Sequence, residues 1–298
     1  MSTACARDRL IPPTFPALPG QTMKKLINQY PGKPMRWLLG LLPFLLIAMI
    51  YTGASNARLA ENPNDKLLPA FSSFVAAIDR LAFTPSKRSG EYLFWQDTAS
   101  SLKRLAMGVG ISAAIGLLFG VLNGIVPYAR ANLSPLVVAI SLIPPMAILP
   151  VLFIVFGLGE LSKVVLIVIG ITPFLIRDIQ QRTLEIPPEQ VIKAQTLGAN
   201  TWQIVLRVVL PQVMPRLLSA VRLSLGSAWL FLIAAEAIAA TDGLGYRIFL
   251  VRRYLSMDVI LPYVLWITVL AFILDFLLRR LSEWAYPWFH SAERGSDT

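Results

Sequence analysis

Residues 192–211 read Ile-Lys-Ala-Gln-Thr-Leu-Gly-Ala-Asn-Thr-Trp-Gln-Ile-Val-Leu-Arg-Val-Val-Leu-Pro. This is a polar, helix-prone interruption in a chain that is otherwise largely apolar. Pro187-Pro188 just before it open a helix, because proline in a first turn gives up no hydrogen bond that would have formed. Glu189 to Leu197 then form one short helix, and Gly198 ends it in the left-handed conformation. Asn200 or Thr201 caps a second helix, which runs through Trp202, Ile204 and Val205 to Leu210. Pro211 closes the unit. The stretch is predicted to be a helix-turn-helix set between two apolar segments. It carries no His, no Cys and no acid after Glu189, so it is poor material for catalysis and good material for docking onto another protein.

The surrounding composition says what that unit is embedded in. Hydrophobic residues are 55% of the chain and charged ones 15%, with a mean hydropathy of +0.62. That is a membrane composition. The net charge of +10 does not point to nucleic acid, because the basic residues are spread at the ends of apolar segments, as the positive-inside rule requires. The single cysteine, Cys5, cannot form an internal disulfide, and one Cys with one His builds no metal cluster. There is no G-x-x-x-x-G-K-[ST] run, so the chain holds no nucleotide-binding loop of its own.

Six apolar runs are predicted to span a bilayer: residues 37–52, 102–126, 133–156, 161–176, 217–240 and 259–278. The first is short for a core about 30 Å thick and follows basic Lys33 and Arg36. It is read as an uncleaved helix because further spans follow. Residues 1–36 form a polar, proline-rich cytoplasmic tail predicted to be disordered, with Met23 as a candidate true start. Residues 281–298 form a second polar tail. Between the first two spans, Phe71, Phe74, Val75, Ile78, Leu81 and Ala82 recur at helical spacing. They suggest an amphipathic helix lying on the outer membrane face or packed on the protein itself.

In the second span Gly108, Gly110, Gly116, Gly120 and Gly124 allow close helix approach, and with the fifth span they are candidates for packing a two-fold dimer. Pro144-Pro145 and Pro150 interrupt the third span. Glu236, about 12 Å from the centre of the fifth span at 1.5 Å per residue, is either a gate residue or an acid bonded to backbone amides near Gly243. Arg177 and Asp178 sit at an inner boundary, read as solvated or paired rather than substrate-binding. Asp275 and Arg279, four apart, are expected to pair. Six spans put both termini on one side, and the modest excess of Lys and Arg on inner segments makes that side the cytoplasm.

The stretch from 192 to 211 resembles the cytoplasmic coupling loop of ABC importer permeases, whose pattern is E-A-A, three residues, G, nine residues, I-x-L-P. Ala194 falls on the second Ala, Gly198 on the Gly, Val208 on the Ile, and Leu210-Pro211 on the L-P. Ile192 and Lys193 depart from the Glu and first Ala. The runs Ile143–Ala147, Phe156–Lys163, Ala235-Glu236 and Asp242–Tyr246 are similar to the nitrate, sulfonate, taurine and bicarbonate group of these permeases.

The resemblance implies an all-α membrane protein of the type I importer fold, with six transmembrane helices and a coupling helix-turn-helix within residues 185–215. It implies a multi-pass subunit of the bacterial inner membrane forming the pathway for a small polar or anionic solute. The partners would be two cytoplasmic ATPase subunits, which bind ATP and Mg, a periplasmic binding protein, and a second permease copy, most simply another copy of this chain. The chain itself would bind no cofactor and have no catalytic site. The ATPase-coupling residues implied are Lys193, Ala194, Gln195, Leu197, Gly198, Ala199, Val208, Leu210 and Pro211; Glu236, Pro144 and Pro145 are gate or pathway candidates.

The alternative is an ion-coupled secondary transporter. That class wants midplane ionisable residues and paired repeats of broken helices, and neither stands out here. An intramembrane enzyme would need a nucleophile and base, or a metal set, which one His at position 290 does not supply.

Overall fold

A computed structural model describes residues 32–62, 65–86 and 90–289, apart from the side chain of Lys33. The Met23 start and most of both predicted tails lie outside these residues. The chain divides into two units, 1–53 and 54–298. Helix α1 (Lys33–Glu61) begins in the first, where Trp37, Phe44 and Ile50 are exposed.

The second unit contains α2 (Phe71–Ile78), α3 (Leu93–Ile125), α4 (Pro127–Ser141), α5 (Pro145–Phe156), α6 (Glu160–Leu184), α7 (Pro188–Thr196), α8 (Thr201–Ile204), α9 (Leu210–Ala239), α10 (Leu244–Arg252) and α11 (Met257–Ala285). Short π-helical stretches, Asp79–Phe83 and Val205–Val209, extend α2 and join α8 to α9. Among the described residues there is no strand.

Helix α6 is the centre of this unit, packed by α3, α9, α5 and α4. Leu166, Ile167, Ile171, Leu175 and Ile179 along it are all but inaccessible. Its partnership with α3 is made by absent side chains. A Cβ on Gly108 would lie 2.7 Å from Ile167, on Gly116 2.7 Å from Leu175, on Gly120 2.6 Å from Ile179 and on Gly124 2.3 Å from Thr183. Both series rise together, so the two helices run parallel, glycine against branched side chain, with their backbones closer than any side chain would allow. These glycines are therefore used within one chain. They do not supply the dimer packing expected of them; Gly110, with nothing within 4 Å, is the exception.

Among the described residues, four helical stretches are long and apolar enough to cross a membrane: Pro34–Glu61, Leu93–Ile125, Thr201–Ala239 and Met257–Ala285. The α4–α5 pair makes a fifth if it counts as one span, bent by 94°. The predicted continuous span over 133–156 is thus broken where Pro144 and Pro145 cannot donate to the preceding turn. Helix α6 is not among the four. It carries Glu160, Lys163, Arg177, Asp178 and Arg182, and a helix enclosed by other helices has less need of a fully apolar surface than one facing lipid.

One smaller expectation is corrected. Asp275 is held by Arg222 of α9 through two bonds of 2.8 and 2.9 Å, while Arg279 pairs with Glu283. A two-pronged guanidinium–carboxylate bond between helices outcompetes a single contact along one. In α2 and its extension the small residues Ala77 and Ala82 are buried, whereas Phe71, Val75 and Phe83 are exposed. The face that packs is the alanine face, because it lets the helix lie close to Phe94, Val259 and Tyr263.

Candidate functional site

The helix-turn-helix is fixed by its backbone. Pro188 occupies the first turn of α7. At the other end the Gly198 N–H donates to Gln195 O (2.9 Å) and the Ala199 N–H to Ala194 O (3.0 Å), with Gly198 at φ +83°. This is the Schellman arrangement, and it needs the left-handed residue that only glycine adopts without strain. The small apolar pair that the motif brings together, Ala194 and Ala199, packs half-buried against the core.

Asn200 then caps α8. Its Oδ1 accepts from the Gln203 N–H (2.8 Å), and the Gln203 side chain accepts from the Asn200 N–H (2.9 Å), a reciprocal capping box. Gln212 reaches from α9 to Gln190 of α7 (2.8 Å) and ties the two arms together.

Pro211 does not close the unit. Helix α8 passes through the π stretch into α9, with the Leu210 N–H donating to Val205 O. A proline at 211 cannot donate to the carbonyl of Arg207, and the widened π turn lets the helix pass it. On the finished unit Ile192, Leu197 and Trp202 are exposed, Leu197 at 88%. Lys193, Gln195, Gly198 and Pro211 are exposed as well, while Val208 and Leu210 are half-buried on the core with Ala194 and Ala199. Beside the unit, Arg182 and Gln181 hold the Glu185 carboxyl below its usual range.

At the far end of α9, Glu236 is fully enclosed. It accepts from Arg104 (2.8 Å), from the Ser101 hydroxyl (2.8 and 2.9 Å) and from the Gly245 N–H (2.9 Å). Arg104, 2% exposed, also binds Glu160 and Asp242. Asp97 accepts from the Gly243 N–H (3.0 Å), Arg247 (2.8 Å) and the Tyr263 hydroxyl (3.2 Å). The Asp242-Gly243-Leu244-Gly245 turn is thereby clamped onto α3 and α9. Gly243 has φ +113°, and a Cβ there would meet the Glu236 carboxyl at 2.6 Å. Burial works against the Asp242 carboxylate, but bonds from Arg104 and Ser100 bring it below its usual range.

Of the sequence candidates, Glu236 has the amide partner expected near Gly243. Pro144 and Pro145 sit at the α4–α5 bend, Pro145 on the wall of a cleft between α4 and α6. Arg104 was not singled out from the sequence. The signal was there, an ionisable residue about three turns into a long apolar helix.

A family model described as the binding-protein-dependent transport system inner membrane component matches residues 107–289. The chain belongs to this family. It is a multi-pass ABC importer permease subunit, in a system whose ATP hydrolysis is done by a separate subunit and whose solute is delivered by a binding protein. That assignment selects the importer over the ion-coupled transporter. The permease is 34% identical over 194 residues to the taurine transport system permease protein TauC of Escherichia coli, covering 65% of this chain and 70% of that one. It is 27% identical over 281 residues to a putative aliphatic sulfonates transport permease protein, SsuC, of Bacillus subtilis, covering 92% and 96%. It is 29% identical over 259 residues to the bicarbonate transport system permease protein CmpB of Synechococcus elongatus, covering 83% and 87%.

Its fold matches inward-facing structures of the MetNI methionine ABC transporter, with a TM-score of 0.58 at 24% identity over 66% of this chain and 98% of that chain. It also matches a bacterial ABC transporter that imports alginate, with a TM-score of 0.59 at 15% identity over 83% and 95%.

Proposed function

We propose that this permease has six spans, carried by α1, α3, the α4–α5 pair, α6, α9 and α11, with both termini in the cytoplasm. Two copies pair about a two-fold axis and work with two ATPase subunits, which hold ATP and Mg, and a periplasmic binding protein. The solute is a small anion of the sulfonate or bicarbonate type, a class supported by relatives named for taurine, aliphatic sulfonates and bicarbonate.

The α7–α8 unit is the coupling element. Lys193, Gln195, Leu197 and Pro211 face the ATPase, Gly198 sets the turn, and Ala194, Ala199, Val208 and Leu210 seat the unit on the bundle. The exposure of Leu197 (88%) and Trp202 (68%) on a turn locked by its own hydrogen bonds carries this reading. Exposed apolar side chains held on a rigid scaffold mark a contact surface. Glu236 with Arg104 clamps the outer end, and the Pro144-Pro145 break is the pliable part of the pathway.

Gly198→Asp tests it. A Cβ at Gly198 meets nothing within 4 Å, so the cost is conformational, about 1–2 kcal/mol, and falls on the turn alone. The variant is expected to insert and accumulate normally, to lose its ATPase on purification, and to lose at least tenfold in taurine, ethanesulfonate or bicarbonate uptake. Ala194→Glu should behave alike. Normal ATPase binding with normal uptake would reduce the loop to a connector.

A further inference from the structure

A cleft of about 780 Å³ opens between α4, the start of α5 and α6, with Ser134, Ser141, Gly170, Pro173, Arg177 and Asp178 among its walls. Three of its polar groups are already satisfied within the chain. Ser134 donates to Gln180 (3.0 Å), Gln181 reaches Glu185 (3.5 Å), and Asp178 lies 3.7 Å from Arg182. Arg177 is different. Its only described partner is the neutral Ser141 hydroxyl at 3.5 Å, and among the described residues it forms no ion pair.

Arg177 lies about 26 Å along α6 from Glu160 at 1.5 Å per residue, towards the cytoplasmic end in the proposed topology. A guanidinium near a helix end reaches the wet membrane edge at little cost, so the donors of exposed Arg177 are open to a ligand, and they form a planar fork matched to oxyanions. The start of α5 adds the positive end of a helix to the same wall.

We propose that Arg177 is the anion-holding residue of the pathway, binding the sulfonate or carboxylate-like head of the solute in this cleft before release to the cytoplasm. Asp178 lines the same cleft and lies 3.7 Å from Arg182, so its carboxylate is shared with a second guanidinium. Pro173 and the backbone at Gly170, whose missing Cβ faces Phe231 of α9, form the α6 wall, while the bend at Leu142–Pro144 sets the opposite wall. This rests on the anion-permease reading above and names the side chain that acts within it.

The test uses the complete transporter, permease with ATPase and binding protein, in lipid nanodiscs. Cys5→Ser removes the single native cysteine, and Ser141→Cys places a thiol beside Arg177. Its reaction rates with methanethiosulfonate reagents bearing a sulfonate or a trimethylammonium group are compared. With Arg177 the sulfonate reagent is expected to react faster, and free ethanesulfonate to slow it. Arg177→Gln should lower the anionic-to-cationic rate ratio at least tenfold, and Arg177→Lys should largely keep it. In the native Ser141 background, Arg177→Gln should cut ethanesulfonate uptake at least tenfold with ATPase co-purification unchanged.

An unchanged ratio in Arg177→Gln, or a thiol that reacts with neither reagent, would overturn the proposal. Protection that comes from phosphatidylglycerol in the nanodisc but not from free ethanesulfonate would also overturn it, by assigning the cleft to a lipid headgroup. If the wild type carries no sulfonate or bicarbonate, the transport reading fails on that result, while the reagent ratio still decides whether the cleft selects anions through Arg177.

Discussion

Arg104 shares one enclosed guanidinium among Glu160, Glu236 and Asp242, and Glu236 has no solvent of its own to fall back on. Removing the cation alone leaves a buried carboxylate with only Ser101 and the Gly245 amide. Breaking one side of a buried pair in this way costs about 3–5 kcal/mol. Arg104→Met should therefore lower the thermal midpoint of the purified protein strongly. Glu236→Gln added to it should recover most of the loss, because the neutral amide oxygen still accepts from Ser101 and Gly245. Glu160 and Asp242 tolerate the change, since Lys163 and Ser100 answer them. A double variant no more stable than the single one would show that the two residues do not act as a unit. At this scale the sequence was partly legible. Glu236 stood out as an acid near the end of an apolar run, and Gly198 as a helix terminator. Arg104 did not stand out, because its three acids come from segments 56, 132 and 138 residues away, and no local pattern joins them.

The helices themselves were legible as apolar runs, α6 over residues 161–176 among them, but which faces pack on one another was not. Helices α3, α9 and α11 lie over predicted spans because hydropathy reports exposure to hydrocarbon. The break between α4 and α5 was announced by Pro144-Pro145, but not its angle. The π stretch before α9 is not legible in the sequence, because a proline reads as a stop and only the folded helix shows the widened turn that removes its clash. The glycine ridge gives the sharpest contrast. Gly120→Val would drive a branched side chain into Ile179, whose Cβ already lies 2.6 Å from an ideal Cβ at 120. Overpacking of this kind costs about 1–3 kcal/mol. Gly110→Ala meets open space and should be neutral or gain up to about 1 kcal/mol in helix propensity. Monodispersity and thermal midpoint of the two variants, side by side, should differ in that order. Equal behaviour would mean that the α3–α6 contact is looser than its geometry implies.

For the whole molecule, the proposed topology places Gly198 in the cytoplasm and Thr84 and Gly243 outside. Reporter fusions at the three positions should report in, out and out; a cytoplasmic signal at Thr84 would remove α1 from the count of spans. The parallel run of α3 and α6 already requires an odd number of crossings between them, which the bent α4–α5 pair supplies if it crosses once.

The charges that bound the apolar middle of α6 also bear on how the protein is made. A ribosome delivers helices in order, and α6 emerges when α3 is present but α9, which covers its other side, is not yet in place. The uncharged stretch of α6 between Lys163 and Arg177 is about 20 Å long at 1.5 Å per residue, short of a core about 30 Å thick. The α3 glycines are then the first surface on which α6 can settle, before residue 239 arrives. Chains truncated at 184 and released from the ribosome should leave α6 open to proteases, or a cysteine placed in it open to soluble thiol reagents, whereas chains that extend beyond 239 should protect it. Quality-control proteases that recognise unassembled helices would find their target in that interval, so variants such as Gly120→Val should accumulate to lower levels than the wild type, a loss set during synthesis and separate from the stability of the molecules that survive.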